Sequence, residues 1–235
     1  MSVRLTINIL LLFQIFWASL RSRSIQAFYD QISSIYDEAF VSHEVHAKSI
    51  FRFLNEVFSN QVSKATVLDL GCGTGMLSTM LADGGYRVVG ADISFPSLCI
   101  LRKKYQQVNV IQSEAIFLSI ADNSFDAVVC LGAWRHFVNT DKVLREISRV
   151  LTNDGFFIVG YFPPAIAGIF HVKQNLLGNL SNSLSKLITR KLGYCDRSDY
   201  SLENDTEQAI QKQFKICTKE TAGLDKCMLV AQYPL

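Results

Sequence analysis

The chain has 235 residues, of which 49% are hydrophobic and 19% charged, with a formal net charge of +2. That length and composition suit one sizeable α/β domain with an appended cap, or at most two small domains, and exclude a disordered chain. The charge is too small for a nucleic-acid partner. Arg102-Lys103-Lys104 is the one short basic run of the central region, and it reads as the solvent side of a helix.

In chain order, residues 1–24 come first. They are mostly apolar from Ile7 to Leu20, with Asn8, Gln14 and Ser19 as interruptions; Arg4, Arg21 and Arg23 flank the run, and no acidic residue precedes Asp30. The run falls short of the ~20 apolar residues that span a bilayer, and Ser22-Arg23-Ser24 is a poor cleavage site. A targeting peptide, a membrane-surface anchor and a helix packed on the domain all fit this segment. The corresponding locations are the cytoplasm, a membrane surface or an organelle. Residues 25–64 are helical in pattern and precede the first strand, as an N-terminal lid would.

From residue 65 to 161 short β-branched runs alternate with helix-length segments, the pattern of a parallel sheet built from βαβ units. Strands are expected at Thr66–Leu70, Arg87–Asp92, Val108–Gln112, Phe125–Leu131 and Phe156–Tyr161. Met76–Asp83 reads as a helix stopped by Gly84-Gly85, and Pro96 suits the first turn of the next helix. Asp141–Leu151 has the apolar spacing of an amphipathic helix, with Asp141 as its cap. Asn153-Asp154-Gly155 is expected to turn the chain into the fifth strand. Residues 162–212 carry Pro163-Pro164 and a helical apolar pattern, read as a cap over the mouth of the sheet. Within 213–235, Phe214–Thr218 and Lys226–Gln232 are expected to be closing strands joined by a loop containing Gly223. The six cysteines are scattered, without CxxC or metal-ligand spacing, so free thiols and no metal are expected.

Ligands of open parallel sheets bind beyond the carboxyl ends of the strands, where strand order reverses. Val67-Leu68-Asp69-Leu70-Gly71-Cys72-Gly73-Thr74-Gly75 is a strand running into a glycine loop at that place. Gly71 and Gly73 let a ligand press on the backbone, and Gly75 lets the helix start close to the strand. Glycines alone support only a nucleotide-binding fold. Asp69, inside the motif, suits the ammonium of an amino-acid-like ligand. Asp92 ends the second strand, where a carboxylate accepts ribose hydroxyls, and Glu114 follows the third, placed for an adenine amino group beside the small Ala115. Ammonium, ribose and adenine in that order describe S-adenosylmethionine. The structural alternatives are Asp69 as a helix cap, Asp92 as a turn residue and Glu114 as a solvated charge.

Residues 67–160 resemble the methyltransferase domain shared by ubiquinone/menaquinone-biosynthesis C-methyltransferases and many small-molecule methyltransferases. The matching pieces are VLDLGCGTG at 67–75, VVGADIS at 88–94, QSEAIFLSIADNSFDAVVC at 112–130 and LREISRVLTNDGFFIV at 144–159; Phe28-Tyr29-Asp30 and Tyr36-Asp37 match more loosely. The resemblance implies a class I S-adenosylmethionine-dependent methyltransferase. Its fold would be α/β and Rossmann-like, with seven strands, the last antiparallel, and helices on both faces. It implies that Asp69, Gly71 and Gly73 bind the methionine part, Asp92 the ribose, and Ile93, Glu114 and Ala115 the adenine. Cys72, Leu131 and Tyr29 complete the expected cofactor contacts, with Tyr29 and Tyr36 as lid residues. The chain departs from the family at Ser113-Glu114-Ala115 (usually Gly-Asp-Ala), at Asn153-Asp154-Gly155 (usually Pro-Gly-Gly) and at Phe117-Leu118-Ser119-Ile120, which lacks the common Leu-Pro.

Trp134, Arg135 and His136 follow the fourth strand, where an acceptor would enter, and His136 is the candidate general base. His43, His46 and His171 have no convergent partners in the sequence and are expected at the surface or in the lid. A methyl donor activated by its own sulfonium needs alignment more than a catalytic triad. The expected partner is a small acceptor, lipid-like in view of the apolar cap and N-terminus. Two other functions share the loop: non-catalytic binding of the same cofactor, and nicotinamide-dependent oxidoreduction, which the G-x-G-x-G spacing and Asp69 oppose.

Overall fold

The computed structural model describes residues 3–39, 43–59, 65–161, 207–221 and 227–232. Helices α1 (Val3–Arg21), α2 (Ile25–Ile32), α3 (Tyr36–Ala39) and α4 (His43–Val57) precede the sheet. Ser24 caps α2, its side chain accepting from the Ala27 amide, and a 3-10 turn at Ser33–Ile35 joins α2 to α3. The N-terminal segment is a helix that packs Ile15 and Ala18 against Phe28 and Ile32. Among the described residues no helix is long and apolar enough to cross a membrane.

Strand β1 (Thr66–Leu70), helix α5 (Met76–Asp83), strand β2 (Arg87–Asp92), helix α6 (Phe95–Lys104), strand β3 (Asn109–Gln112) and strand β4 (Phe125–Leu131) follow in βαβ order. Helix α7 (Thr140–Val150) then leads to β5 (Leu151–Tyr161), and β6 (Lys215–Thr221) and β7 (Cys227–Gln232) close the sheet. The seven strands lie in the order β3-β2-β1-β4-β5-β7-β6. β7 runs antiparallel to both β5 and β6, so the last strand is the reversed one. The chain reverses its direction across the sheet between β1 and β4, which opens the crevice at their carboxyl ends.

Alternation along the strands divides the core. Val67, Val88, Val129 and Ile158 face Ile50 and Leu54 of α4, Leu77 and Leu81 of α5, and Leu101 of α6. Leu68, Val128, Phe157 and Val159 face Val143, Leu144 and Ile147 of α7, together with Ile210 and Phe214. Helices therefore cover both faces, as a parallel sheet requires.

Three expected boundaries are corrected. Asn139, not Asp141, caps α7: its side chain accepts the Lys142 amide at 3.1 Å, and Asp141 lies within the first turn. The Asn153-Asp154-Gly155 turn does not precede the fifth strand but sits inside it. Leu151 already pairs with Phe125, pairing resumes at Ala127 with Phe156, and Asp154 adopts a φ of 64° as the excess residues loop out. β6 starts after Phe214, whose ring is buried in the core, and extends to Thr221. Of the expected cap, residues 207–211 are helical, whereas 162–206, with His171 and Cys195, lie outside the described residues. So does the loop containing Gly223. Cys72, Cys99, Cys130 and Cys217 are free thiols.

Candidate active site

The glycine loop owes its shape to backbone that only glycine adopts cheaply. Gly71, Gly73 and Gly75 have φ of 77°, 54° and 89°. A Cβ on Gly71 would stand 2.2 Å from Ala133 Cβ, and one on Gly75 2.2 Å from Leu101 Cδ1. Gly73 differs: its missing Cβ meets only Tyr36 Cε1, at 3.9 Å, so its bare backbone faces open space beneath that ring. Asp92 braces the loop. Its Oδ2 accepts the Gly73 amide at 2.8 Å and its Oδ1 the Ser94 amide at 2.8 Å. Burial raises the Asp92 pKa against these backbone bonds, and Asp30 adds to the rise.

Above this loop lies a cavity of about 320 Å³. It brings together most of the expected cofactor residues: Tyr29, Gly71, Gly73, Asp92, Ile93, Glu114, Ala115 and Leu131 all line it, as does His136. Two expected residues do not line it. Strand alternation turns Asp69 to the α5 side, where Ser78 Oγ donates to its Oδ2 at 2.6 Å; burial pushes its pKa up to about 7 despite that bond. Cys72 is buried with its Sγ packed under Gly90, where a Cβ would stand 2.8 Å from it. Burial pushes this thiol well up, which keeps it protonated and inert.

The loop that follows β3 is held by contacts that sequence reasoning missed. Glu146 accepts the Leu118 amide at 2.7 Å, and Arg149 donates to the Leu118 and Ile120 carbonyls at 2.9 and 2.7 Å. Arg149 also pairs with Glu146 and Asp122. This clamp shapes the segment that lacks the Leu-Pro pair, while Ser113 Oγ donates to the Phe117 carbonyl at 2.6 Å. Glu114 itself is exposed at the cavity edge.

The lid comes from the N-terminal helices. Tyr29 Oη lies 2.8 Å from His136 Nε2, and the Tyr29 ring stands edge-on to Tyr36 at 6.0 Å. Tyr36 Oη lies 3.5 Å from His43 Nδ1. Asp37 fastens the lid to the floor, accepting from Thr74 Oγ1 and pairing with Lys104. Lys104 is thus more than a solvated residue of its basic run, and Arg102 bonds the Gln106 and Val108 carbonyls behind α6. Desolvation by burial, aided by neighbouring positive charge, lowers the pKa of His43 to about 4 and that of His136 to about 3, so both imidazoles are neutral at pH 7. His46 is buried rather than at the surface. Trp134 does not face the acceptor side; it is buried against Phe137 and Phe157. Gly132, Phe137 and Val138 line the cavity instead. Gly132, at φ 78° directly after β4, was the available signal.

S-adenosylmethionine fits these residues. The open space over Gly73 accepts a ligand against bare backbone, and each Asp92 oxygen keeps lone pairs for a hydroxyl donor. Asp30 Oδ1 is buried without a hydrogen-bond partner among the described residues, near enough to Asp92 to raise its pKa. A cationic amino group satisfies such an acceptor.

Comparison with known proteins places the same region. Residues 68–159 match the family described as "Methyltransferase domain". A demethylmenaquinone methyltransferase of Thermus thermophilus is 39% identical over 110 residues, 44% of this chain and 50% of the relative. Another of that name, from Clavibacter sepedonicus, is 29% identical over 189 residues, 79% of this chain and 75% of the relative. The match to the Thermus protein thus spans only half of its length. The magnesium protoporphyrin IX methyltransferase of Synechocystis, solved with bound SAH, superposes with a TM-score of 0.59 at 21% identity. That superposition covers 84% of this chain and 86% of the other, and it shows the shared fold.

Proposed function

We propose that this chain, whose residues 68–159 match the family described as "Methyltransferase domain", is a class I S-adenosylmethionine-dependent methyltransferase that moves a methyl group from that cofactor to a small hydrophobic acceptor by in-line displacement. The observation that carries this is the convergence of Gly71 and Gly73 backbone, the Asp92 carboxylate and Glu114 on one cavity closed by Tyr29 and His136. When bound, the cofactor supplies a methyl group already electrophilic through its sulfonium. The protein's work is to orient and to exclude water.

Asp92 accepts the ribose hydroxyls, Glu114 the adenine amine, and Ile93, Ala115 and Leu131 give the ring apolar walls. Asp69 acts from beneath, holding the loop through Ser78 and α5 rather than touching the ligand. Tyr29 and Tyr36 cover the donor side, while His136, Phe137 and Val138 border the acceptor side. His136, the candidate general base, would exchange its bond to Tyr29 for one to the acceptor; the burial that lowers its pKa makes it a weak base, so holding the acceptor in line is its larger contribution. The acceptor named for the demethylmenaquinone methyltransferase relatives and the apolar lining around Phe137 and Val138 support a lipid-like substrate.

Titration calorimetry with S-adenosylmethionine tests this. Wild-type protein is expected to bind it, and Asp92→Ala to bind about a hundredfold more weakly, since both the loop brace and the hydroxyl acceptor are lost. Absence of binding to the folded wild type overturns the proposal.

A further inference from the structure

The fold uses one face of α1. Leu11, Ile15 and Ala18 are buried, and Ser22 closes that edge by donating to the Ala18 carbonyl at 2.7 Å. The opposite side carries Leu10, Phe13, Trp17 and Leu20, exposed by 58%, 57%, 43% and 37%. Spacings of three and four residues set these four in a single stripe, along which Phe13 and Trp17 meet edge to face at 5.9 Å. A surface helix normally presents polar residues on this side, and a run of large exposed apolar groups marks an interaction site.

The charges around the stripe identify the partner. The first 29 residues contain Arg4, Arg21 and Arg23 but no Asp, Glu or Lys. Arg21 and Arg23 are exposed at the carboxyl end of α1, and the Arg21 guanidinium stands 5.3 Å over the Trp17 ring. Tryptophan beside arginine, on a helix that lies on a membrane rather than across it, suits the headgroup boundary. We infer that α1 seats the protein on an anionic phospholipid surface, Leu10, Phe13, Trp17 and Leu20 entering the boundary of headgroups and acyl chains while Arg21 and Arg23 meet lipid phosphates. Only three residues separate α1 from α2, whose Ile25 and Tyr29 line the cavity. The cavity wall is therefore tethered to the lipid. Use of that tether to collect a lipid-like acceptor rests on the methyl-transfer reading; the surface itself does not.

The test uses the full chain with vesicles of phosphatidylcholine alone and of equal parts phosphatidylcholine and phosphatidylglycerol. Trp17 is a built-in reporter, because the other tryptophan, Trp134, is buried in the core. The wild type is expected to sediment with the anionic vesicles, with its fluorescence shifted to the blue and quenched by brominated acyl chains. Leu10→Ser with Phe13→Ser is expected to weaken partitioning by about tenfold or more. Arg21→Gln with Arg23→Gln is expected to weaken it by about fivefold per charge, on the anionic vesicles only. These are surface changes, so unchanged thermal unfolding certifies each variant. The inference is overturned if the folded wild type binds neither vesicle, if the Leu10/Phe13 variant binds as the wild type does, or if light scattering shows the stripe consumed in a dimer that the same substitutions dissolve. Cofactor calorimetry in parallel separates the two proposals: vesicle binding without cofactor binding removes the methyl-transfer reading and leaves the surface standing.

Discussion

The floor of the cavity is assembled from neighbouring strand ends, whereas its lid joins residues far apart in the chain. On the floor, Asp92 reaches the Gly73 amide because β1 and β2 are adjacent parallel strands whose carboxyl ends coincide. In the lid, Tyr29 meets His136 across 107 positions, through the packing of α2 on a loop beyond β4. The floor is rigid backbone, with glycines at positive φ and a carboxylate between two amides. The lid is a set of aromatic and imidazole side chains with an ionic fastening, Asp37 to Lys104. On the proposed methyl-transfer reading, donor recognition rests on geometry the strands impose, and acceptor choice on side chains that substitution changes without breaking the sheet.

The sharpest way to break this contrast lies within the floor. Gly71→Ala forces an alanine to φ 77° and its Cβ onto Ala133, and is expected to destabilise the protein by about 2–5 kcal/mol in denaturant titration. Gly73→Ala meets only the Tyr36 ring at 3.9 Å, so the protein folds, with a loss of about 1 kcal/mol, while cofactor affinity falls. Equal destabilisation by the two would refute the distinction between a glycine the fold needs and one the ligand needs.

Floor and lid also differ in the sign of their response to pH. Asp69 titrates near 3.8 in an unfolded chain and about 7 when folded, so the stability it lends below pH 4 is lost as pH rises through 7. His43 and His136 titrate near 6.5 unfolded and about 4 and 3 folded, so their contribution is present above pH 6.5 and lost as pH falls toward those values. Unfolding free energies between pH 4 and 8 are expected to show opposed slopes: Asp69→Asn flattens the fall toward neutrality, and His136→Gln flattens the loss in acid. Each effect is of order 1–3 kcal/mol, the histidine one reduced by partial exposure. An acid limb unchanged by His136→Gln would remove that histidine from the account.

The smallest expected effect is Tyr29→Phe. It keeps the ring over the cavity and removes the bond to His136, costing about 1 kcal/mol of stability and accelerating cofactor dissociation severalfold in stopped-flow measurements. A dissociation rate equal to that of the wild type would show that the hydrogen bond does not hold the lid.

Sequence pattern places the core strands β1, β2 and β4, the glycine loop, and Asp92 and Glu114 at strand ends, because hydrophobic period and glycine punctuation are local signals and parallel neighbours align their ends. It misread the Asn153-Asp154-Gly155 turn, since whether a turn ends a strand or bulges from it depends on the partner β4. Packing turns Asp69 toward Ser78 rather than the cavity, puts Trp134 in the core, and joins His43 and His136 to the two tyrosines. It also divided the apolar N-terminal run into a packed face and an exposed stripe. An apolar residue in a helix reads the same in sequence whichever side it faces; only the packing of Ile15 and Ala18 on α2 fixed the rotation that leaves Phe13 and Trp17 outside.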